Sequence, residues 1–300
     1  MPQTVESIKP TKTMTKSLTI VLPARNEALA LVNLLPQLKA LSGHPEIIVV
    51  NDGSTDNTIQ VCEDNQVKVI THPYSKGNGA AIKTGARAAK GEILLFMDAD
   101  GQHKPEDIPR LLAKLQEGHD MVVGARDRKS QAGAHRAFAN GFYNRFSSWM
   151  VEQKIDDLTS GFRAVRADKF KKFLYLLPNT FSYPTTITMS FFRAGYSVAY
   201  IPIEAPKRIG KSHIRVVKDG LRFILIILKI GTLYSPLKLF LPISASLFLT
   251  GLFYYFYTFV EAHRFTNMSA LLFISSLLVF LIGLVSEQIT SLNYKDSEDQ

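Results

Sequence analysis

Residues 92–103 read EILLFMDADGQH, an apolar run that ends abruptly in acidic and polar side chains. The apolar part is continuous, as strands buried on both faces of a sheet usually are. Asp98 and Asp100 follow it two residues apart, and an extended backbone would direct both carboxylates to the same side. Hard cations such as Mg²⁺ or Mn²⁺ prefer oxygen ligands of this kind. The alternative interpretation of Asp-x-Asp is a solvated loop that caps the next helix.

Similar apolar runs alternate with helical patterns on both sides of this stretch. Strands are predicted at 18–22, 46–50, 67–70, 92–97 and 120–123, and helices at 26–41, 56–64, 77–90 and 105–117. Short strands that alternate with helices indicate a parallel sheet covered on both faces. The predicted fold class is therefore α/β, with a doubly wound, mostly parallel sheet.

Three polar segments follow predicted strands: PARNE at 23–27, NDGSTD at 51–56 and DADGQH at 98–103. Ligands of such sheets bind beyond the carboxyl ends of the strands, so these segments are the candidate site. A dinucleotide fold would need Gly-x-Gly-x-x-Gly after the first strand, but no glycine lies between Leu18 and Ser42. Nicotinamide chemistry is thereby disfavoured.

Composition excludes several other classes of protein. With 300 residues, 46% hydrophobic and 20% charged, the chain is long and apolar enough for about two folded domains. The single cysteine, Cys62, cannot form an internal disulfide, and no Cys/His cluster is present for zinc.

The formal net charge of +9 is concentrated in one place. Residues 207–238 contain eight lysines and arginines against Asp219 alone, and charge-free runs follow at 239–260 and 268–286. Each run is close to the roughly 20 residues that cross a bilayer. This location favours a membrane over nucleic acid as the partner, with two transmembrane helices. A pair of buried core helices is the alternative.

The expected topology places both chain ends in the cytosol. Residues 1–17 contain no apolar segment typical of a signal peptide, and the basic stretch precedes the first span, as the positive-inside rule prefers. Residues 214–234 alternate basic and apolar side chains at helical spacing, which suits a helix in the membrane plane, although a core helix would fit as well.

Six motifs in order carry a resemblance to a known family. They are PARNE (23–27), NDGSTD (51–56), KGNG (76–79), DADGQH (98–103), GAR (124–126) and TSGFR (159–163). The chain from about 18 to 213 resembles the family 2, GT-A glycosyltransferases, and within them the branch of dolichyl-phosphate mannose synthases and polyprenyl-phosphate glycosyltransferases. The two C-terminal spans fit bacterial members of that branch.

The resemblance implies a donor site and a metal site. It assigns nucleotide binding to Pro23, Arg25, Glu27, Val50 and Asp52, and the metal and diphosphate to Asp98, Ala99 and Asp100, with Gln102 as a further metal ligand. The segment KRIGKSH at 207–213 resembles a basic loop that closes over the diphosphate, which implicates Lys207 and Lys211. The sequence departs from the family pattern at Asn51, where an aspartate is common, and at Lys207 and His213, which replace arginine and lysine.

The resemblance also implies an acceptor site that binds a lipid phosphate. Arg126, Arg136 and Asn140 fall where that phosphate is held, Arg126 also beside the reacting groups, and Ser160 falls at the acceptor mouth. A phosphomonoester near pH 7 already carries most of its second charge, so it needs cations rather than a general base. For Arg136, the alternative is an ordinary surface arginine on the helix predicted at 135–151.

Together these observations predict an inverting, metal-dependent glycosyltransferase. It would move a hexose from a UDP- or GDP-sugar to undecaprenyl or dolichyl phosphate at the cytosolic face of a membrane, which in bacteria is the inner membrane. The expected cofactor is Mg²⁺ or Mn²⁺. The protein could also form a homo-oligomer. The alternatives are a membrane-tethered nucleotide-sugar-binding scaffold and a transferase for another lipid acceptor. The expected organisation is a tail (1–17), a catalytic domain (18–213), amphipathic helices (214–235), a two-helix anchor (236–290) and a cytosolic tail (291–300).

Overall fold

A computed structural model describes residues 17–126, 134–179, 183–204, 229 and 231–298. The N-terminal tail and the basic segment 205–228 lie outside these residues. The predictions for Lys207, Lys211, His213 and most of the amphipathic segment therefore fall outside the described part of the chain.

The domain expected to be catalytic is built on one seven-stranded sheet. Its strands are β1 (Leu18–Ala24), β2 (Glu46–Asn51), β3 (Lys68–Thr71), β4 (Ile93–Phe96), β5 (Met121–Arg126), β6 (Arg163–Arg166) and β7 (Val198–Ile203), in the order β3-β2-β1-β4-β6-β5-β7. The neighbours β3-β2-β1-β4 are parallel, as are β5 and β7, whereas β6 runs antiparallel to both β4 and β5. The mostly parallel α/β fold is confirmed. Strands β6 and β7 were not predicted.

Helices cover both faces of the sheet. They are α1 (Ala28–Lys39), α2 (Thr58–Asp64), α3 (Asn78–Ala88), α4 (Ile108–Gln116), α5 (Ala134–Val151), α6 (Ala167–Lys171) and α7 (Tyr183–Arg193). On one face Leu31 and Leu35 of α1 and Leu111 of α4 pack with Ile20 and Leu95 of the sheet. On the other, α3, α6 and α7 bury a second cluster. Strands sandwiched in this way must be apolar on both sides, which explains the continuous apolar runs in the sequence.

Two long helices, α8 (Pro236–Ala262) and α9 (Asn267–Glu298), follow the catalytic domain and form a hairpin. Residues 236–261 and 267–292 are long and apolar enough to cross a membrane, and only 11% and 17% of their most apolar windows are buried in the protein. Core helices would be mostly buried, so the structure contradicts that alternative. Ser244 and Ser276 each donate a hydrogen bond of 2.9 Å to the other's carbonyl oxygen and join the two helices at a buried contact.

A partly buried polar junction fixes the hairpin to the catalytic domain. Glu287 of α9 pairs with Arg193 at the end of α7 (3.1 Å), and its other carboxylate oxygen accepts the backbone N–H of Leu237 in the first turn of α8 (3.2 Å). Arg193 also donates to the carbonyl oxygen of Tyr234 and to the hydroxyl of Ser235. The Glu287 carboxylate thus accepts a hydrogen bond from one of the backbone N–H groups that a helix start leaves unpaired. The same carboxylate forms an ion pair with the catalytic domain.

Candidate functional site

The three polar segments predicted from sequence meet at one edge of the sheet. Ala24 at the end of β1 is in register with Asn51 at the end of β2, and Val21 is in register with Phe96 at the end of β4. Because the three strands are parallel, the loops that follow them leave the sheet on the same side.

Hydrogen bonds join the loop after β1 to the loop after β2. The Asn26 N–H donates to Ser54 Oγ (2.9 Å), the Thr55 N–H donates to Asn26 Oδ1 (2.8 Å), and the Ala28 N–H donates to Asp56 Oδ2 (3.1 Å). Asn26 has a φ of 57°, a left-handed conformation that asparagine tolerates better than most residues. The predicted donor residues on β1 therefore form one surface with the segment 51–56, with Arg25 exposed and Pro23 and Glu27 partly buried.

Asp52, predicted to read the nucleotide, is only 4% exposed and already holds four partners. Its carboxylate accepts hydrogen bonds from the backbone N–H groups of Lys76 (2.8 Å) and Gly77 (2.9 Å) and from Ser75 Oγ (2.8 Å), and it lies 2.8 Å from His72 Nδ1. Burial alone would raise the pKa of Asp52, but the hydrogen bonds with His72, Lys76, Ser75 and Gly77 lower it to about 2. In the structure this carboxylate orders the loop 75–77 beside the site.

Two residues close to Asp52 in the sequence are tightly packed. Gly53 has a φ of +70°, and a Cβ there would lie 2.8 Å from the backbone nitrogen of Ser75. Val50 is fully buried. Sequence reasoning missed His72 and Ser75, whose contacts with Asp52 span 20 and 23 positions.

The acidic pair lies just beyond the end of β4. The strand ends at Phe96 and Asp100 lies in a turn, so the expectation that an extended backbone directs both carboxylates to the same side is wrong. Asp98 Oδ2 lies 3.8 Å from His103 Nε2, and Asp100 Oδ1 accepts the backbone N–H of Gln102 (3.1 Å). Burial would raise the pKa of Asp98, but hydrogen bonding and charge from His103, a hydrogen bond with Asn78 and the charge of Arg126 lower it. Asp98 is thus kept ionised.

Gly161 forms the back wall behind Asp98. A Cβ at Gly161 would lie 2.9 Å from Asp98 Oδ2, closer than real Cβ contacts come. The Gly161 carbonyl oxygen accepts from the hydroxyl of Tyr183 (3.3 Å), and the Ser160 carbonyl oxygen accepts from Arg163. Ser160 itself is 1% exposed, so the structure does not present its side chain at a surface.

Arg163, which entered the sequence analysis only as part of the TSGFR motif, is fully buried next to Ser160. Its guanidinium donates to the carbonyl oxygen of Pro184 and to Thr188 Oγ1, both at 3.1 Å. Burial lowers the pKa of this arginine from its usual value, partly offset by the charges of Asp157 and Asp98. A buried cation is costly without hydrogen bonds, and those made by Nη1 and Nη2 hold β6 and the start of α7 in one geometry. The Nε atom is buried with no partner among the described residues.

Arg126, at the end of β5, is paired with Asp157. Its Nε and Nη2 atoms donate to the two carboxylate oxygens at 2.8 and 3.0 Å, and Nη2 also donates to Thr159 Oγ1 at 2.6 Å. This two-point contact fixes the plane of the guanidinium. The charge of Asp98 also acts on Arg126 and, after the Asp157 contacts, helps to raise its pKa against the effect of burial. Arg136 and Asn140 lie in α5, but their side chains are outside the described residues.

The donor atoms at the end of β4 fit a hard cation. Asp98, Asp100 and the Gln102 side chain offer oxygen ligands, the kind that Mg²⁺ and Mn²⁺ select. Because Gly161 has no side chain, the Asp98 carboxylate can lie directly against it. Within the described residues, no group of three His, Cys, Asp or Glu side chains could hold a metal alone. A cation here would therefore share its coordination with oxygens of the substrate.

Comparison with known proteins identifies the family. Residues 19–174, just over half of the chain, match the model of Glycosyl transferase family 2. The chain belongs to glycosyl transferase family 2. Residues 235–292 match a second model, the GtrB C-terminal hairpin, which covers α8 and most of α9. The family and the two-helix segment expected from the sequence are confirmed.

Individual relatives show how far the similarity extends. An undecaprenyl-phosphate 4-deoxy-4-formamido-L-arabinose transferase of Proteus mirabilis is 33% identical over 182 residues, which are 54% of this chain and 56% of that protein. The chain thus spans about half the length of this relative. The glycosyltransferase AglJ of Haloferax volcanii is 26% identical over 91% of this chain and 94% of its own length.

A solved structure supports the fold. Glucosyl-3-phosphoglycerate synthase of Mycobacterium tuberculosis, in complex with Mn²⁺, UDP and glucosyl-3-phosphoglycerate, superposes with a TM-score of 0.55 at 21% identity, covering 72% of this chain and 80% of that one. This likeness establishes a shared fold of the catalytic domain.

The Asp52 contacts predict a pH-dependent contribution to stability. A carboxylate whose pKa is lowered in the folded protein stabilises it above the unfolded pKa, and this is lost as pH falls through the folded pKa. With the pKa lowered from 3.8 to about 2, Asp52→Asn should cost about 2 kcal/mol at pH 7 and progressively less between pH ~4 and ~2. Thermal unfolding of the full chain in detergent measures this, with Asp64→Asn as an exposed control. A difference that does not change with pH would contradict the assignment.

The contact between Gly161 and Asp98 predicts a selective loss of function. In Gly161→Ala the new Cβ must displace Asp98, so the variant should fold but require much more Mn²⁺ for half-maximal turnover. Gly141→Ala is the matched control, because a Cβ at that position meets nothing within 4 Å. An unchanged Mn²⁺ dependence of Gly161→Ala would show that Asp98 is not a ligand.

Proposed function

We propose that this protein transfers a hexose from a nucleoside diphosphate sugar to a polyprenyl phosphate at the cytosolic face of a membrane, with inversion at the sugar carbon. The observation that carries the proposal is that one chain joins a strand-end carboxylate pair, Asp98 and Asp100, to a hairpin of two long apolar helices, of whose most apolar windows only 11% and 17% are buried. The first feature suits a soluble, anionic donor, and the second suits a substrate confined to a bilayer.

The relatives support the same two substrates. The Proteus mirabilis relative acts, by its name, on undecaprenyl phosphate, and the hairpin has its own family model. The Mycobacterium tuberculosis synthase was solved with UDP and Mn²⁺. These names describe the relatives. That this chain uses the same kinds of donor and acceptor is part of the proposal.

A phosphate acceptor simplifies the chemistry that the site must perform. Since the second pKa of a phosphomonoester is about 6, its oxygen is already a nucleophile near pH 7. The acceptor oxygen forms a bond to the anomeric carbon while the bond from that carbon to the diphosphate oxygen breaks, and the electron pair leaves with the diphosphate. Attack from the face opposite the leaving group inverts the configuration.

In this scheme Arg126 orients the acceptor phosphate. Its guanidinium is held by Asp157, is 28% exposed, and lies on the same side of the sheet as Asp98. Arginine presents a planar set of donors that suits phosphate oxygens. Arg136 and Asn140 on α5 are proposed to complete the acceptor site, and Lys207 and Lys211 are proposed to cover the donor diphosphate.

Asp98 and Asp100, with Gln102 as a further ligand, would hold a divalent cation, Mg²⁺ or Mn²⁺. When bound, it would neutralise the charge that develops on the departing diphosphate. The protein's own contribution is to keep Asp98 ionised through His103 and Asn78 and to hold it against Gly161.

The test is sugar transfer by the purified full-length protein in lipid vesicles, using panels of UDP- and GDP-sugars, Mn²⁺ and undecaprenyl phosphate. Asp100→Asn should reduce turnover by about two decades or more, because several kcal/mol of charge stabilisation are lost at 1.4 kcal/mol per decade. EDTA should abolish wild-type turnover. Asp168→Asn, at the opposite end of the sheet, should leave it unchanged. Donor binding without transfer to any polyprenyl phosphate would instead identify a nucleotide-sugar-binding scaffold.

A further inference from the structure

The only tryptophan in the sequence, Trp149, lies exposed on the catalytic domain. It belongs to the last turn of α5, and 48% of the residue is accessible. Its ring lies 5.9 Å from that of Phe146, which is itself partly exposed. Indole combines a large apolar surface with one polar N–H group, a combination that proteins place at interfaces and in the headgroup layer of membranes.

The position of Trp149 relative to the hairpin indicates which interface this is. The carbonyl oxygen of the next residue, Met150, accepts hydrogen bonds from Ser235 Oγ (3.4 Å) and Lys238 Nζ (3.3 Å). Ser235 caps α8, and the first candidate span begins at the following residue, Pro236. Trp149 is thus separated from the first residue of that span only by Met150, one hydrogen bond and Ser235. The headgroup region on each side of a bilayer is about 5–7 Å deep.

The surroundings of Trp149 suit the same location. Arg145, one helical turn earlier on the same face of α5, is exposed, whereas the exposed Lys154 just beyond the helix pairs with Asp156 at 2.9 Å. Basic residues close to a membrane gain about 1 kcal/mol each from anionic lipids. A cavity of about 470 Å³, lined among others by Met150, Lys238 and Leu241, continues this surface onto α8. Leu241, 47% exposed, begins the apolar exterior of the hairpin.

We infer that the exposed end of α5, formed by Arg145, Phe146 and Trp149, lies in the headgroup layer of the membrane that holds the hairpin. The catalytic domain then contacts the bilayer at a second place besides the transmembrane segment. Together with the Arg193–Glu287 junction, this contact fixes the orientation of the domain towards the lipid surface. The inference requires the hairpin to be in a bilayer, but it does not depend on the sugar, the acceptor or the metal.

Because Trp149 is the only tryptophan, its fluorescence reports this contact directly. The full-length protein is reconstituted in vesicles of phosphatidylcholine and phosphatidylglycerol that carry a nitroxide quencher either in the headgroup or near the end of an acyl chain. Trp149 emission should be lost most strongly with the headgroup quencher and less with the acyl-chain quencher. Aqueous acrylamide should quench it less in vesicles than in the unfolded chain.

Two reference variants calibrate the measurement. Trp149→Phe combined with Val32→Trp moves the only indole to α1, which packs with α2 near the β3 edge of the sheet. The fluorescence of this variant should be quenched by acrylamide alone. Trp149→Phe combined with Leu277→Trp places it on the exposed surface of α9 and should respond to the acyl-chain quencher.

Three outcomes would overturn the inference. Trp149 could behave like the Val32→Trp reference, which would place the end of α5 in water. It could resist both lipid and aqueous quenchers, which would show that another part of the protein or a second copy covers it. Lipid quenchers could also fail to reach the Leu277→Trp reference, in which case the hairpin is not in the bilayer. Sugar transfer is not a readout here, so failure of the proposed reaction would be seen separately.

Discussion

The parallel pairing of β1 with both β2 and β4 is the constraint on which the site depends. The registers of Ala24 with Asn51 and of Val21 with Phe96 bring three polar loops to one edge. Hydrogen bonds between Asn26 and the segment 54–55 then join two of these loops into one surface. If either pairing slipped by one residue, the side chains of the strand would exchange between the two apolar clusters on opposite faces of the sheet. The polar loop that follows the strand would shift with it, so the apolar core and the polar edge are specified together.

Behind these loops, charged groups that are buried or partly buried are each held by several hydrogen bonds, although Arg163 Nε has no partner among the described residues. Asp52 holds the loop 75–77, Asp157 holds Arg126, and Arg163 holds the carbonyl oxygens of Ser160 and Pro184. Such groups are expensive to bury and add little net stability, but removing one partner leaves an unpaired charge. Their value here is geometric, since they fix the positions of Gly161 and Arg126 around Asp98. The junction of Glu287 with Arg193 applies the same device at the membrane end of the domain.

Much of this arrangement could be predicted from the sequence, for identifiable reasons. Strands β1 to β5 and the two apolar helices each form an unbroken apolar pattern that a short window of sequence reveals. That the polar segments after the strands meet at one edge follows from the topology of a parallel sheet. Strand β6 is short, and its antiparallel pairing with β4 and β5 depends on contacts distant in sequence. The roles of His72, Asp157 and Arg163 were missed for the same reason: each acts through partners more than ten positions away. Asp52 was expected to face the ligand, whereas its four protein partners became visible only in three dimensions.

The central claim is that the carboxylates beyond β4 hold the cation that accompanies the donor diphosphate. A crystal structure of the protein with a nucleoside diphosphate and Mn²⁺, with data collected at the manganese edge, tests it most directly. The account predicts an anomalous peak in contact with the carboxylates of Asp98 and Asp100 and with the diphosphate, and nucleoside density along the loops after β1 and β2. Manganese bound by the nucleotide away from these two carboxylates would contradict it.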